Sequence, residues 1–328
     1  MRTRATRRGL HLTELGLGAA QFGNLYRETT DEQAASAVAA AWDAGIRYFD
    51  TAPHYGLGLS ERRLGPLLAQ YPREDYLVSS KVGRLLVDSP DLDGRQDDEG
   101  FAVPATKRRV WDFSRDGILR SLESTLQRTG LDFLDIVYLH DPDDHLEQAL
   151  GEGIQTLIEL REQGVVKAVG AGMKQSAALT ALINAADVDL VMLAGRYTLL
   201  EQGAVDDLLP LALERGVGVV IAGVYNTGLL SSARPAAGAK YEYADAPTDL
   251  IERANAIADV CERHGVSLPE AALAFPLLHP AVVSVVVGVR DAAQVDGNVE
   301  RYNTSIPPAL WTELVARHLL PESTFLNA

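Results

Sequence analysis

The sequence predicts a (β/α)8 barrel made by one domain over residues 1–328. Strand-like runs and helix-like patterns alternate along the chain through eight units. The strand candidates are too apolar to be half-exposed, the mark of strands covered on both faces in a parallel sheet. No linker-like segment divides the chain, and eight such units fit one barrel domain. The alternative, an open doubly wound sheet, binds dinucleotides through a glycine-rich first turn. Gly16, Gly18 and Gly23 are spaced wrongly for that turn and precede no immediate helix.

The first strand is expected at 14–18, with a loop at 19–27. Thr30 suits an N-cap, and the alanine-rich run 34–43 has high helix propensity until Gly45. A second strand is expected at 46–50, a helix from near Ser60 and a third strand at 76–81. The polar stretch 84–112 is too long for an ordinary connection and reads as a loop arching over one end of the barrel. A helix at 114–128 ends at Gly130, and the β-rich run within 133–140 marks strand four. A helix at 146–163, a strand at 165–169, a helix at 176–185 and a strand at 190–194 continue the alternation. A helix at 204–214 and a strand at 217–221 follow. Helices at 247–264 and 268–278 lead to strand eight at 282–287, and another helix opens near Asp291. A last helix at 307–320 is expected to pack outside the barrel.

Composition narrows the function. The chain is 47% hydrophobic, enough for a full core, and carries a formal charge of -15. That acidity disfavours nonspecific binding to nucleic acid or anionic lipid. Cys261 is the only cysteine, so an intramolecular disulfide and a thiolate metal cluster are both excluded. Four arginines lie in residues 1–8, ending Arg7-Arg8, but His11, Thr13 and Glu14 interrupt the apolar run an export signal needs. No run is long enough to span a membrane. A cytoplasmic enzyme with a small-molecule substrate is the expectation, with no nucleic-acid or membrane partner.

In such a barrel the reactive groups come from the C-terminal ends of different strands. Asp50 ends strand two, Tyr55 follows it, Lys81 ends strand three and His140 ends strand four. Each alone has a structural explanation as a cap, a surface aromatic or a solvated strand end. Together they face one mouth. A phenol near pKa 10 is a poor base at neutrality, and a neighbouring ammonium favours the phenolate. Asp50 would hold Lys81 charged, and His140 could donate to a substrate oxygen. The set suits proton transfer to or from an alcohol or carbonyl oxygen.

Asp50-Thr51-Ala52-Pro53-His54-Tyr55-Gly56, the Ser60-Glu61-x-x-Leu64-Gly65 that follows, Lys81 and His140 resemble the aldo-keto reductase superfamily, over nearly the whole chain. The resemblance implies a barrel that binds an extended nicotinamide dinucleotide, with Asp50, Tyr55, Lys81 and His140 as catalytic tetrad. It implies cofactor contacts from Gly172, Met173, Tyr197, Gly223, Tyr225, Asn226, Gly228, Gly288, Arg290, Gln294 and Asn298. Gly172-Met173 stands where many members have Ser-Asn, and Ala194 where many have glutamine. Gln294 stands where many NADP-using members have arginine, which favours NAD, although Arg290 could meet a 2′-phosphate.

The phrases Gly23-Asn24-Leu25-Tyr26-Arg27 and Leu193-Ala194-Gly195-Arg196-Tyr197 are most similar to a bacterial branch of aldose 1-dehydrogenases. That branch includes enzymes for L-fucose and D-threo-aldoses and the related pyridoxal 4-dehydrogenase. It implies oxidation of a sugar at C1 to the lactone. Tyr26, His54, Trp111 and Phe113 are candidate substrate contacts. The alternatives are a pyridoxal dehydrogenase or broad aldehyde reductase on the same tetrad, and a nucleotide-binding regulatory barrel. His140, His145, Asp141, Asp143 and Asp144 cluster without the inward His-x-His of a barrel metallohydrolase, so no metal site is expected.

Overall fold

The computed structural model describes residues 1–92, 94–235, 238–242 and 244–322. Eight parallel strands close into a barrel in chain order. They are β1 (Leu15–Gly18), β2 (Tyr48–Asp50), β3 (Leu77–Val82) and β4 (Ile136–His140). β5 (Ala168–Met173), β6 (Leu190–Ala194), β7 (Gly218–Ala222) and β8 (Val282–Gly288) complete it, and β8 pairs with β1. Strand five begins later than expected and runs on through Gly170–Met173. Its glycines have no side chains to signal a strand, but they pair with β4 and β6.

The helices surround the barrel. α1 (Asp31–Asp43) opens with the Thr30 capping box, closed by Gln33. α2 (Leu59–Leu68) and α3 (Arg115–Thr129) pack so closely at Gly65 that a Cβ there would lie 1.9 Å from the Thr129 carbonyl oxygen. Glu61 of α2 is fully buried between them. It accepts from Thr125 at 2.9 Å, from Ser80 of β3 at 3.1 Å and from Arg128 at 2.5 Å. The Ser-Glu-x-x-Leu-Gly phrase therefore locks two helices to the strand that carries Lys81. The last helix, α4 (Pro308–Ala316), is shorter than expected and buries Leu310, Trp311 and Leu314.

Two parts depart from expectation. The segment 84–112 is not a simple loop. Arg84–Asp88 and Lys107–Trp111 pair as an antiparallel ribbon, Arg84 opposite Trp111. The ribbon strand Lys107–Trp111 alternates half-buried and exposed residues, a weak pattern that charge conceals. At the other end of the barrel, Thr3–Ala5 and His11–Thr13 form an unexpected hairpin. Leu12 enters the barrel interior beneath Tyr48, Ile136 and Tyr138. Arg7 and Arg8, with Arg161, pair with Asp187 and the fully buried Asp189. The twin arginines are thus counterions.

Candidate active site

Alternation along three neighbouring strands builds the site in two layers. Tyr48, Ser79 and Tyr138 point into the barrel, and Asp50, Lys81 and His140, each two residues on, form the layer above. The residues between them point out, Phe49 and Leu139 into the outer core and Ser80 onto Glu61.

The Lys81 ammonium has three protons, and each has a partner. Nζ donates to Asp50 Oδ2 at 2.7 Å, to the Thr51 carbonyl at 3.0 Å and to the Tyr55 hydroxyl at 3.2 Å. Because the Tyr55 oxygen accepts from Lys81, its own proton is free to point elsewhere. His140 lies across the opening, its ring 6.1 Å from that of Tyr55. The Tyr55 loop is set by backbone contact. Gly56 has φ +61°, and a Cβ there would meet the Gly23 carbonyl oxygen at 2.2 Å.

Below, the donors run one way. Asp50, as a carboxylate, only accepts, so Ser79 Oγ donates to Asp50 Oδ1 at 2.7 Å. Ser79 must then accept from Tyr48 at 3.0 Å, and Tyr48 from Tyr138 at 3.3 Å.

Burial decides the protonation states. Burial works against charge on Lys81, but Asp50 and Tyr55 outweigh it and push its pKa up. Burial raises the Tyr55 phenol, and Lys81 offsets only part of that rise. The ammonium alone would lower this phenol. In the folded chain desolvation is the larger effect. Burial, then the charges of Arg84 and Lys81, hold His140 well below its usual value. His54 falls to about 2, by burial and then Arg84 and Arg109. Both histidines are neutral.

The ribbon supplies a second wall. Arg84 Nη2 donates to Asp141 Oδ2 at 2.5 Å, Arg84 Nη1 lies 3.4 Å from His54 Nδ1, and its guanidinium sits 4.8 Å from the Trp111 ring centroid. Arg109 pairs with the buried Asp97 and donates to the His54 carbonyl. His54 packs edge-on against Phe101 and His140. Tyr26 is 55% exposed, with its amide on the Gly100 carbonyl. Phe113 is corrected: it is fully buried in the outer core against Gly83, away from any open surface.

The cofactor candidates divide. Tyr197 is corrected, since its ring is fully buried against Phe275 and His279 and serves packing. Arg290 is corrected as a phosphate partner. Its guanidinium donates to the carbonyls of Leu25 and Arg27 and to Thr29, tying the β1 loop to β8. Gln294 accepts from the Arg290 amide, and Asn298 accepts from Tyr225 at 2.9 Å. Asn226, Thr227 and Gly228 are three consecutive residues of positive φ. Within it the Asn226 and Gly228 amides donate to the Gly223 and Tyr225 carbonyls. Gly223 also has positive φ and abuts Gly195. At Gly288 a Cβ would lie 2.4 Å from Gln21 Oε1, so a side chain there would push the Gln21 amide aside. Gln21 Oε1 and Asn226 Oδ1 are both buried without a partner. Gly172 leaves open the floor beside Lys81 Cε, and Met173 is buried behind it. Unpaired acceptors, a strained turn and a glycine floor fit an extended polar ligand that carries hydrogen-bond donors.

Sequence reasoning missed Ser79, Arg84, Asp97, Arg109 and Asp141 as parts of this site. Stepping back by two from Lys81 finds Ser79. No short-range signal announces Arg84 or Arg109, because the ribbon places them. Among the described residues no group of His, Cys, Asp and Glu could hold a metal ion, and no helix is long and apolar enough to cross a membrane.

A closed parallel barrel with a tyrosine, lysine, aspartate and histidine at its mouth defines an oxidoreductase of the nicotinamide-dependent barrel class. The Aldo/keto reductase family profile matches residues 14–316, and the chain belongs to that family. It is 48% identical over 316 residues to a D-threo-aldose 1-dehydrogenase from Pseudomonas sp, covering 95% of this chain and 96% of that one. It is 39% identical over 331 residues to a pyridoxal 4-dehydrogenase from Microbacterium luteolum, covering 96% of each. The holo form of an aldo-keto reductase from Bacillus halodurans superposes with a TM-score of 0.74 at 26% identity, over 97% of this chain and 96% of that one.

Proposed function

We propose that this enzyme oxidises an aldose of the L-fucose or D-threo-aldose type at C1 to its lactone, with Tyr55 as general base. The observation that carries this is the Lys81 ammonium, whose three fixed donors leave the Tyr55 hydroxyl aimed away from it. The 48% identical D-threo-aldose 1-dehydrogenase supports the substrate class. Tyr55 takes the proton of the anomeric hydroxyl, and Lys81 stabilises the phenolate from which it starts. Neutral His140 donates to the same oxygen and orients it. Asp50 keeps Lys81 charged and in place. A nicotinamide held at this mouth would supply the hydride acceptor for C1.

The 223–228 turn, Gly172, Met173, Gly288, Gln294 and Asn298 would hold the dinucleotide. NAD is the proposed form, because Arg290 is committed to backbone carbonyls and no arginine stands at 294. A cytoplasmic setting fits twin arginines that are used as counterions.

The test is nicotinamide absorbance with a panel of aldoses and pyridoxal, with NAD and NADP in turn. Reduction of NAD by an aldose is expected. Turnover of pyridoxal alone would overturn the substrate class. Tyr55→Phe should abolish turnover while cofactor binding persists, and full activity in that variant would refute the assignment of the base.

A further inference from the structure

Asp141 is an anomaly at the mouth. It directly follows His140, and its φ is +39°, a conformation uncommon for a residue with a side chain. It also precedes Pro142, whose ring further restricts the residue before it. Strain of this kind persists only where the surroundings impose it. Here they do. The Asp141 amide donates to the Gly172 carbonyl at 2.9 Å, and Arg84 grips one carboxylate oxygen. Arg84 is itself held, its plane over the Trp111 ring. The result is a carboxylate whose side chain is still 37% exposed: Oδ2, the oxygen Arg84 holds, lies 3.8 Å from His140 Nε2, and Oδ1 accepts no hydrogen bond among the described residues.

The proton transfer does not need this carboxylate, whose charge only adds to the rise of the Tyr55 phenol that burial begins. Yet it stands beside the nitrogen that would hold the reacting oxygen, at a separation that suits two oxygens on adjacent carbons. We propose that Asp141, positioned by Arg84, is a specificity residue that accepts a hydrogen bond from the sugar hydroxyl on the carbon next to the one oxidised. The inference rests on the aldose reading above and names the group that reads the ring. An ionised acceptor suits this task, since a hydroxyl hydrogen bond to a charged group is stronger than one between neutral groups.

The experiment compares kcat/KM for an aldose and its 2-deoxy analogue in the wild type, Asp141→Asn and Arg84→Lys. Melting temperature and nicotinamide-cofactor binding serve as checks on folding. The wild type should prefer the parent sugar by about 10- to 100-fold, the range of a hydrogen bond to a charged group. Asp141→Asn should bring the two sugars to within about threefold, chiefly through KM of the parent. Arg84→Lys keeps a charge without the fork and should give an intermediate ratio. A wild type indifferent to the 2-hydroxyl, or an Asp141→Asn ratio equal to the wild type's, overturns the inference while the aldose reading stands. Failure of the wild type to oxidise any aldose overturns both.

Discussion

Replacing Ser79 by alanine tests whether the barrel interior tunes the chemistry at its mouth. Among the described residues, the change removes the only side-chain donor other than Lys81 to Asp50, a carboxylate 3% exposed. It also leaves Tyr48 without the acceptor that orients it. A hydrogen bond to a buried charge contributes about 1.5–3 kcal/mol. Without Ser79, less of the Asp50 charge is drawn toward the barrel floor, and more of it is felt above. Asp50 already raises the Tyr55 phenol. If about a third of the lost interaction reaches Tyr55, roughly 0.5–1 kcal/mol, its phenolate population falls about two- to fivefold at neutral pH. The assay is the pH profile of kcat/KM for sugar oxidation. Ser79→Ala should be slow at neutral pH and converge on the wild type in alkali, where Tyr55 is deprotonated in both. Ser79→Thr, which keeps the hydroxyl, should restore the neutral rate. A loss of equal size at every pH would refute the reasoning, because simple misplacement of Lys81 does not fade as pH rises.

Two further outcomes follow from the same structure. Since burial raises Tyr55 and both His54 and His140 are held neutral, oxidation should rise continuously with pH from about 6 with no inflection near the ordinary histidine value. A limb near pH 6.5 in kcat/KM would contradict that assignment. Glu61→Ala should cost about 3–5 kcal/mol of stability in denaturant unfolding, because Arg128, Thr125 and Ser80 lose one shared buried partner. A loss under about 1 kcal/mol would show that the helices do not depend on it.

The barrel was legible because eight largely apolar strand runs alternate with helical patterns, and the four reactive residues because each sits at or just after a strand end. What escaped the sequence depends on long-range placement. Arg84 and Asp141 are 57 residues apart and meet only because the ribbon folds back over β4. Tyr197 and Phe113 are aromatic residues beside the mouth in sequence, but their rings turn into the core. Arg290 has the charge for a phosphate, yet three carbonyl and hydroxyl oxygens of the first loop reach it first. A positive charge in a motif says what a residue can bind, and the fold decides which partner it has.

The hairpin on the barrel floor sets an order of assembly. Arg4 donates to the carbonyls of Leu277, His279 and Val282, and Ser284 donates to the Thr13 carbonyl. Residues at the start of this hairpin thus find their partners only some 275 positions further along the chain. Until β8 is made, Leu12 has no complete barrel to close, and the tyrosines above it lie open to water. Contacts this distant in sequence make for slow folding. The strong charge of the chain keeps it soluble through that interval.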